Sequence, residues 1–240
     1  MACHFTGIYD VNRNNILPDD DYSIVKNWAD SIIKLHMKGI IFHNNFTDEI
    51  VSKYQNENIS FIKVDYDPTF NPNVYRYFIY KNYFDANFEN IEAFFLTDIS
   101  DVELLSNPFI TNDFIENPES IFCGDEPKPL ENEWMLAHSE HLRNKIVDYT
   151  SFEEKNKQEV LLNCGIIGGK SKLMKEFLDK LCDIHQTYNY DNKTAYTGDM
   201  GAFNYLLRTQ FKQRIAHGFP INTIFKEYQT HRIDCWFRHK

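Results

Sequence analysis

In the segment Phe94-Phe95-Leu96-Thr97-Asp98-Ile99-Ser100-Asp101-Val102, an apolar run leads directly into two carboxylates. Residues 91–96 are apolar nearly throughout, which is typical of a strand covered on both faces. Asp98 and Asp101 are three residues apart, so a turn or first helical turn places both side chains on one side. Such a pair suits a hard divalent cation that also binds phosphates. The residues alone equally allow Asp98 to cap a short helix while Asp101 faces water.

Outward from this stretch, short apolar runs alternate with segments of helical periodicity. In the first half, strands are predicted at 3–9, 40–43, 59–64 and 91–96, with one helix that begins near Ile24 and ends at Gly39 and further helices at 48–54 and 74–84. In the second half, strands are predicted at 121–123, 160–167 and 214–217, with a proline-containing loop at 124–129 and helices at 134–149, 171–188 and 199–210. The alternation predicts one α/β domain over residues 1–240, with a mostly parallel central sheet flanked by helices. Ligands of such sheets bind beyond the carboxyl ends of the strands.

The composition restricts the function classes. The chain of 240 residues has 25 Lys+Arg and 35 Asp+Glu, a formal net charge of -10. This balance argues against nucleic acid as a partner, since domains that bind its phosphate backbone are usually basic. A nucleotide remains compatible with it, because a metal ion and one or two cations reverse the local field. No apolar run reaches 18 residues, so no transmembrane segment is expected. The five cysteines form no CxxC pair, which favours a reducing, cytoplasmic location.

The run F-L-T-D-x-x-D-V-x-x-L-x-N-P-F, beginning at Phe95, resembles the metal-binding acidic motif of GT-A-type glycosyltransferases. It differs in being D-x-x-D, with Ser100 where the commoner D-x-D has its second acid. The resemblance implies a GT-A-like, Rossmann-like fold in which Asp98 and Asp101 bind Mn²⁺ or Mg²⁺. Alternatively, one aspartate binds the metal and the other orients ribose or water. The motif ends the nucleotide-binding half, so residues 1–110 are assigned to that half and 111–240 to the acceptor-binding half.

Other stretches resemble these enzymes in the same order. The segment L-N-C-G-I-I-G-G at 162–169 resembles the N-x-G strand of the acceptor side, and D-M-G-A-F-N at 199–204 resembles the D-x-G-x-x-N helix start of glycogenin-like transferases. The segment N-V-Y-R-Y at 73–77 resembles a helix start whose arginine lies near the nucleotide. The segment H-G-F-P at 217–220 and the terminal R-H-K resemble the late segments that complete the metal and diphosphate site.

The resemblance also implies which residues lie on the acceptor side. Asn163 is expected to hydrogen-bond a sugar hydroxyl, and Gly165 to let a sugar approach the backbone. Asp199 is expected to act near the sugar, at a helix N-terminus that stabilises a carboxylate. Glu126 and Trp134 flank a loop that is expected to shape the acceptor cleft. The alternatives are that the glycine only ends a strand, that Asp199 only caps a helix, and that Trp134 belongs to the core.

A third metal ligand is expected among the late histidines. His239 is preferred because it ends an apolar tail that can return to the sheet edge; His217 comes second and His231 third. Lys240, beside His239, is expected to bind the diphosphate. The alternative for the terminal Arg-His-Lys is a frayed, solvated end.

The end of the first strand, Thr6 to Asp10, is expected by topology to contact the base and ribose of a nucleotide. Tyr9 would stack on the base, and Asp10 would accept a hydrogen bond from a base N–H. Arg13 and Arg76 would oppose the phosphate charge. A core tyrosine and solvated charges are the alternative for these residues.

The sequence therefore predicts a metal-dependent glycosyltransferase that moves a sugar from a UDP- or GDP-sugar to a hydroxyl of a carbohydrate or glycan acceptor. It leaves inversion or retention at the sugar carbon open. A nucleotidyltransferase is an alternative, but residues 6–15 contain a single glycine and a single arginine, whereas such enzymes usually carry a glycine-rich, basic loop there. A non-catalytic module that binds nucleotide sugars or carbohydrates is the other alternative.

Overall fold

The computed structural model describes residues 1–10, 15–191 and 198–240, without the side chain of Asp10. The strands are β1 (Ala2–His4), β2 (Tyr9–Asp10), β3 (Asn15–Ile16), β4 (Gly39–His43), β5 (Ile59–Lys63), β6 (Ala93–Thr97), β7 (Val102–Leu104), β8 (Ile121–Pro129), β9 (Val160–Lys170), β10 (Ile215–His217) and β11 (Phe237–His239). The helices are α1 (Ser23–Lys34), α2 (Asp48–Tyr54), α3 (Pro72–Asn87), α4 (Asn112–Glu116), α5 (Glu133–His138), α6 (Glu140–Arg143), α7 (Tyr149–Asn156), α8 (Ser171–Tyr188) and α9 (Asp199–Gln210). Within the described residues, no helix has both the length and the apolar character needed to cross a membrane.

Two sheets form the centre of the molecule. The first is parallel with strand order β1-β4-β5, and the second has the order β10-β8-β9-β6. In the second sheet β10 is parallel to β8, whereas β9 runs antiparallel to both of its neighbours. The N–H of Thr97 donates to the C=O of Met1 at 3.0 Å, which places β6 beside β1. The predicted α/β fold with a mostly parallel, helix-flanked sheet is confirmed, and β9 is its antiparallel member.

Both faces of the first sheet are covered because alternate side chains of a strand point in opposite directions. In β4, Ile41 packs with the apolar stripe of α1, whereas its neighbour Phe42 packs with α3 in the largest apolar cluster. Trp28 of α1 also donates from Nε1 to Thr97 Oγ1 at 2.7 Å. This buried bond fixes the end of β6, directly before Asp98.

The second half differs from the prediction in two places. Residues 124–129 continue β8 instead of forming a loop; beyond Cys123, the edge of β8 meets the side chain of Asn222, which bonds the backbone of Asp125. Pro127 falls at the register irregularity between Glu126 and Pro129, and prolines within sheets occur at bulges and edges of this kind. Residues 134–149 form α5, α6 and the start of α7 rather than one helix, because Ser139 leaves helical geometry (ψ 2°).

His185 of α8 makes the stability of the fold dependent on pH. It is fully buried against Tyr77, with ring centroids 5.5 Å apart, and burial lowers its pKa to about 3. The unfolded chain protonates this histidine near 6.5, so below that pH the unfolded state binds more protons. The free energy of unfolding is therefore highest above pH 6.5, and it decreases as the pH is lowered towards 3.

We therefore expect His185 to lower the free energy of unfolding by up to about 1.4 kcal/mol for each pH unit below 6.5. His185→Gln should remove this part of the slope, because glutamine does not titrate. Urea unfolding of both proteins between pH 7 and 5 measures it. Equal slopes in the two proteins would contradict the assignment.

Candidate active site

A cleft of about 830 Å³ lies at the carboxyl end of β6, where the predicted topology expects a ligand. Its walls come from β1, the start of α3, the turn between β6 and β7, the strands β8 and β9, the start of α9, and the segment 225–228. Several elements distant in sequence therefore contribute side chains to one cavity.

Asp98, Asp101 and His239 form a cluster in this region. Asp98 follows β6, and its N–H donates to the C=O of Gly165 at 2.8 Å. Asp101 precedes β7, which pairs antiparallel with β11 so that His239 lies opposite Val102. One ligand atom from each of the three side chains lies within 4.8 Å of the others. A pairing between remote strands thus brings the late histidine to the two aspartates.

The environment of His239 suits a metal ligand. The side chain is buried, 1% exposed, and its Nδ1 has no hydrogen-bond partner among the described residues, while Nε2 lies 4.0 Å from Asp101 Oδ2. Burial lowers the pKa of His239, so the ring is neutral at pH 7 and keeps a lone pair for a cation. Two carboxylates and a neutral imidazole fit Mn²⁺, and the carboxylates alone fit the oxygen preference of Mg²⁺.

Gly165 of β9 lies directly against this cluster. A Cβ built at Gly165 would be 2.7 Å from Asp98 Oδ2, 2.7 Å from His239 Cε1 and 2.9 Å from Asn163 Oδ1. Asn163 holds the segment in place, since its Oδ1 accepts from Gly165 N at 2.6 Å and its Nδ2 donates to Glu126 Oε1 at 2.8 Å. The N-x-G segment therefore packs against the cluster without room for a side chain at its glycine.

Arg76 of α3 connects the two groups of acids in the cleft. Its Nη1 donates to Asp98 Oδ1, and its Nη2 lies 3.8 Å from Asp199 Oδ2 and 3.3 Å from Cys164 Sγ. The guanidinium is largely buried. It offsets the charge of the two acids, Asp98 and Asp199; its role near phosphates stays a prediction.

Asp199 is the first residue of α9 and is 5% exposed. Its Oδ1 lies 2.8 Å from His138 Nε2, and the His138 ring stacks on Trp134 with centroids 4.3 Å apart. His138 was not predicted to belong to the site. No motif surrounds it, and the hydrogen bond spans 61 residues.

The other two residues of the D-x-G-x-x-N segment have packing roles. Asn204 clamps β9, since its Oδ1 accepts from Leu162 N at 3.1 Å and its Nδ2 donates to Leu162 O at 2.9 Å. A Cβ at Gly201 would lie 2.6 Å from Ser139 Oγ and 2.7 Å from Tyr149 Oη. This close contact and the clamp hold the start of α9, and hence Asp199, against β9.

Some predicted residues lie elsewhere. His217 is exposed on β10, with its Nδ1 2.9 Å from Asp125 Oδ2, and it stays outside the metal cluster. His231 is exposed. Lys240 lines the cleft, but its Nζ is bound to Glu103. Of the late histidines among the described residues, only His239 meets the aspartates.

On the nucleotide side, Thr6 is buried and its backbone N–H and C=O both bond the side chain of Asn44 at 2.9 Å. Tyr9 lies in the β2–β3 hairpin and is 51% exposed. The side chain of Asp10 and all of Arg13 lie outside the described residues. Neither Thr6 nor Tyr9 lines the cleft; the apolar residues that do so on this side are Phe5, Leu17, Ile24 and Pro72.

Comparisons with known proteins agree with the fold. No family model matches the chain, and no curated protein sequence matches it. A crystal structure of an active-site mutant of LgtC superposes with a TM-score of 0.53 and 13% identity, covering 100% of this chain and 86% of that one. A second structure, the galactosyltransferase LgtC with donor and acceptor sugar analogues, gives a TM-score of 0.49 and 14% identity over the same shares. The first of these two superpositions shows that the chain has the α/β fold of LgtC over its whole length.

Proposed function

We propose that this chain is a metal-dependent glycosyltransferase that moves a sugar from a UDP- or GDP-sugar to a hydroxyl of a carbohydrate acceptor. The observation that carries the proposal is the meeting of Asp98, Asp101 and His239 within 4.8 Å, at the end of β6 in a fold shared with LgtC. We assign the nucleotide to residues 1–110 and the acceptor to residues 111–240 of one domain.

The three residues of the cluster hold the cation, either Mn²⁺ or Mg²⁺. When bound, such an ion takes up the negative charge that grows on the diphosphate as the glycosidic C–O bond breaks. Asp98 and Asp101 supply anionic oxygen ligands and His239 a neutral nitrogen. Gly165 leaves the space in which these side chains meet.

Asp199 is the carboxylate of the sugar and acceptor side in this proposal. His138 Nε2 hydrogen-bonds one of its oxygens, and Arg76 Nη2 lies 3.8 Å from the other, so both oxygens of this buried carboxylate face polar partners. The acceptor hydroxyl attacks the sugar in front of Asn163, Gly165 and Asp199. There a carboxylate acts either as the base of an inverting reaction or as a stabiliser of an oxocarbenium-like centre in a retaining one.

Thermal unfolding with nucleotides tests this function. We expect UDP or GDP to raise the melting temperature in the presence of Mn²⁺ and to have no effect when a chelator removes the ion. A preference for nucleoside triphosphates would support a nucleotidyltransferase instead. The absence of any response to nucleotides would contradict both enzymatic functions. Sugar transfer is then measured with sugar nucleotides that contain the nucleoside diphosphate found to bind.

A further inference from the structure

The positive side chains of the cleft differ in how they are paired. Among the described residues, the lysines and arginines that line it are Arg76, Lys128, Lys226 and Lys240. Carboxylates hold three of them: Asp98 binds Arg76, Glu126 binds Lys128 at 2.9 Å, and Glu103 binds Lys240. An incoming anion would have to compete with a carboxylate for each of these three.

Lys226 is the exception within the described part of the chain. Its exposed ammonium lies 5.1 Å from the centroid of the neighbouring Phe225 ring, and no carboxylate of the described residues pairs with it. An exposed cation–π contact of this kind is weak. A phosphate can therefore bind this ammonium without breaking an ion pair.

The segment that carries Lys226 packs and hydrogen-bonds against His239 of the Asp98–Asp101–His239 cluster. The Phe225 ring packs on the His239 ring with centroids 4.4 Å apart. Thr223, at the base of the segment, donates from N to Phe237 O at 3.0 Å and accepts at Oγ1 from His239 N at 3.2 Å. The lysine is thus separated by one aromatic ring from a proposed metal ligand, on a segment hydrogen-bonded to the same strand.

The backbone at Lys226 is also unusual. Its φ is 65°, in the left-handed region that side chains other than glycine rarely adopt. Residues held in such conformations concentrate at ligand clamps and active sites. The fold therefore maintains an unfavourable conformation at Lys226, the cleft-lining lysine that has no carboxylate partner in the described part of the chain.

We propose that Lys226, rather than Lys240, is the lysine that binds the diphosphate of the donor. This inference rests on the proposed function, since it requires a nucleoside diphosphate bound through the metal cluster. Among the described residues no carboxylate pairs with the Lys226 ammonium beside the cluster, whereas Lys240 would first have to leave Glu103.

Calorimetric titration with UDP and GDP in the presence of Mn²⁺ tests the assignment. Lys226→Ala should lower the affinity for the diphosphate that the wild type binds by about tenfold or more, because a charge-assisted hydrogen bond to phosphate is lost. The affinity for the matching monophosphate, UMP or GMP, should change by less than about threefold, a split that a general structural defect would not give. Lys226→Arg should restore most of the affinity for the diphosphate.

Lys240→Ala is the matched control, since Lys240 lines the same cleft but is paired with Glu103. It should leave the affinity for the diphosphate within about threefold of the wild type. A loss in Lys240→Ala without one in Lys226→Ala, or equal losses of diphosphate and monophosphate in Lys226→Ala, would overturn the assignment while the proposed function stands. A wild type that binds neither UDP nor GDP with Mn²⁺ would overturn both.

Discussion

Asp101→Asn is expected to slow Mn²⁺-dependent sugar transfer by roughly a thousandfold, because stabilisation of the leaving diphosphate is worth several kcal/mol. Asparagine is close to aspartate in size but removes one of the two negative charges of the cluster. Asp101 is a clearer target than Asp98, which also binds Arg76. The rate of release of UDP or GDP from the accepted sugar nucleotide, as a function of Mn²⁺ concentration, gives the effect.

Two further measurements make this result specific. Asp113→Asn removes a carboxylate from the exposed first turn of α4, outside the cleft, and should leave the rate unchanged. Asp101→Asn should also lose the Mn²⁺-dependent rise in melting temperature with UDP or GDP. Wild-type rates in Asp101→Asn, or full wild-type activity in the presence of a chelator, would rule out the proposed metal site.

The local parts of the fold were predictable from the sequence. The bounds of α8 and α9 agree with residues 171–188 and 199–210, and α2 agrees with 48–54. In α8 an apolar stripe repeats with helical period, and that signal depends only on neighbouring residues. The acids after β6 were located for a similar reason, because the buried strand and its polar end are contiguous in the chain.

Contacts between remote segments were not predictable in the same way. The preference for His239 as the third ligand rested on the resemblance and on its apolar tail, whereas its position follows from the pairing of β11 with β7. Lys240 and Glu103 lie on those paired strands or directly beside them, and their ion pair follows from the same register. No periodicity within a single segment encodes such a contact.

The region 134–149 illustrates how tertiary contacts override local propensity. Its periodicity suits one long helix, but the chain bends at Ser139 and α5 ends at His138, which meets Asp199. The close packing of Gly201 against Ser139 and Tyr149 requires the same bend. The sequence alone does not show that residues 134–149 contact the start of α9.

Gly165→Ala is expected to lower Mn²⁺-dependent nucleotide binding and transfer by about a hundredfold or more while the protein still folds. The added methyl group would lie 2.7 Å from both Asp98 Oδ2 and His239 Cε1, well inside normal contact distance. At least one of these side chains has to move, and a displacement of about 1 Å at a reacting site costs on the order of a hundredfold. Titration with Mn²⁺ and UDP or GDP, together with the transfer rate, measures the loss.

Gly124→Ala separates this effect from a general intolerance of side chains in the sheet. Gly124 lies on the adjacent strand β8, opposite Asn163, and its added Cβ would meet Ile166 Cβ at 3.5 Å, an ordinary van der Waals contact. We expect this variant to bind nucleotide and transfer sugar within about threefold of the wild type. Equal losses in the two variants would show that the sheet, not the space at the cluster, is sensitive to the methyl group. A Gly165→Ala protein with wild-type Mn²⁺ affinity would mean that the cation does not bind where Asp98 and His239 meet.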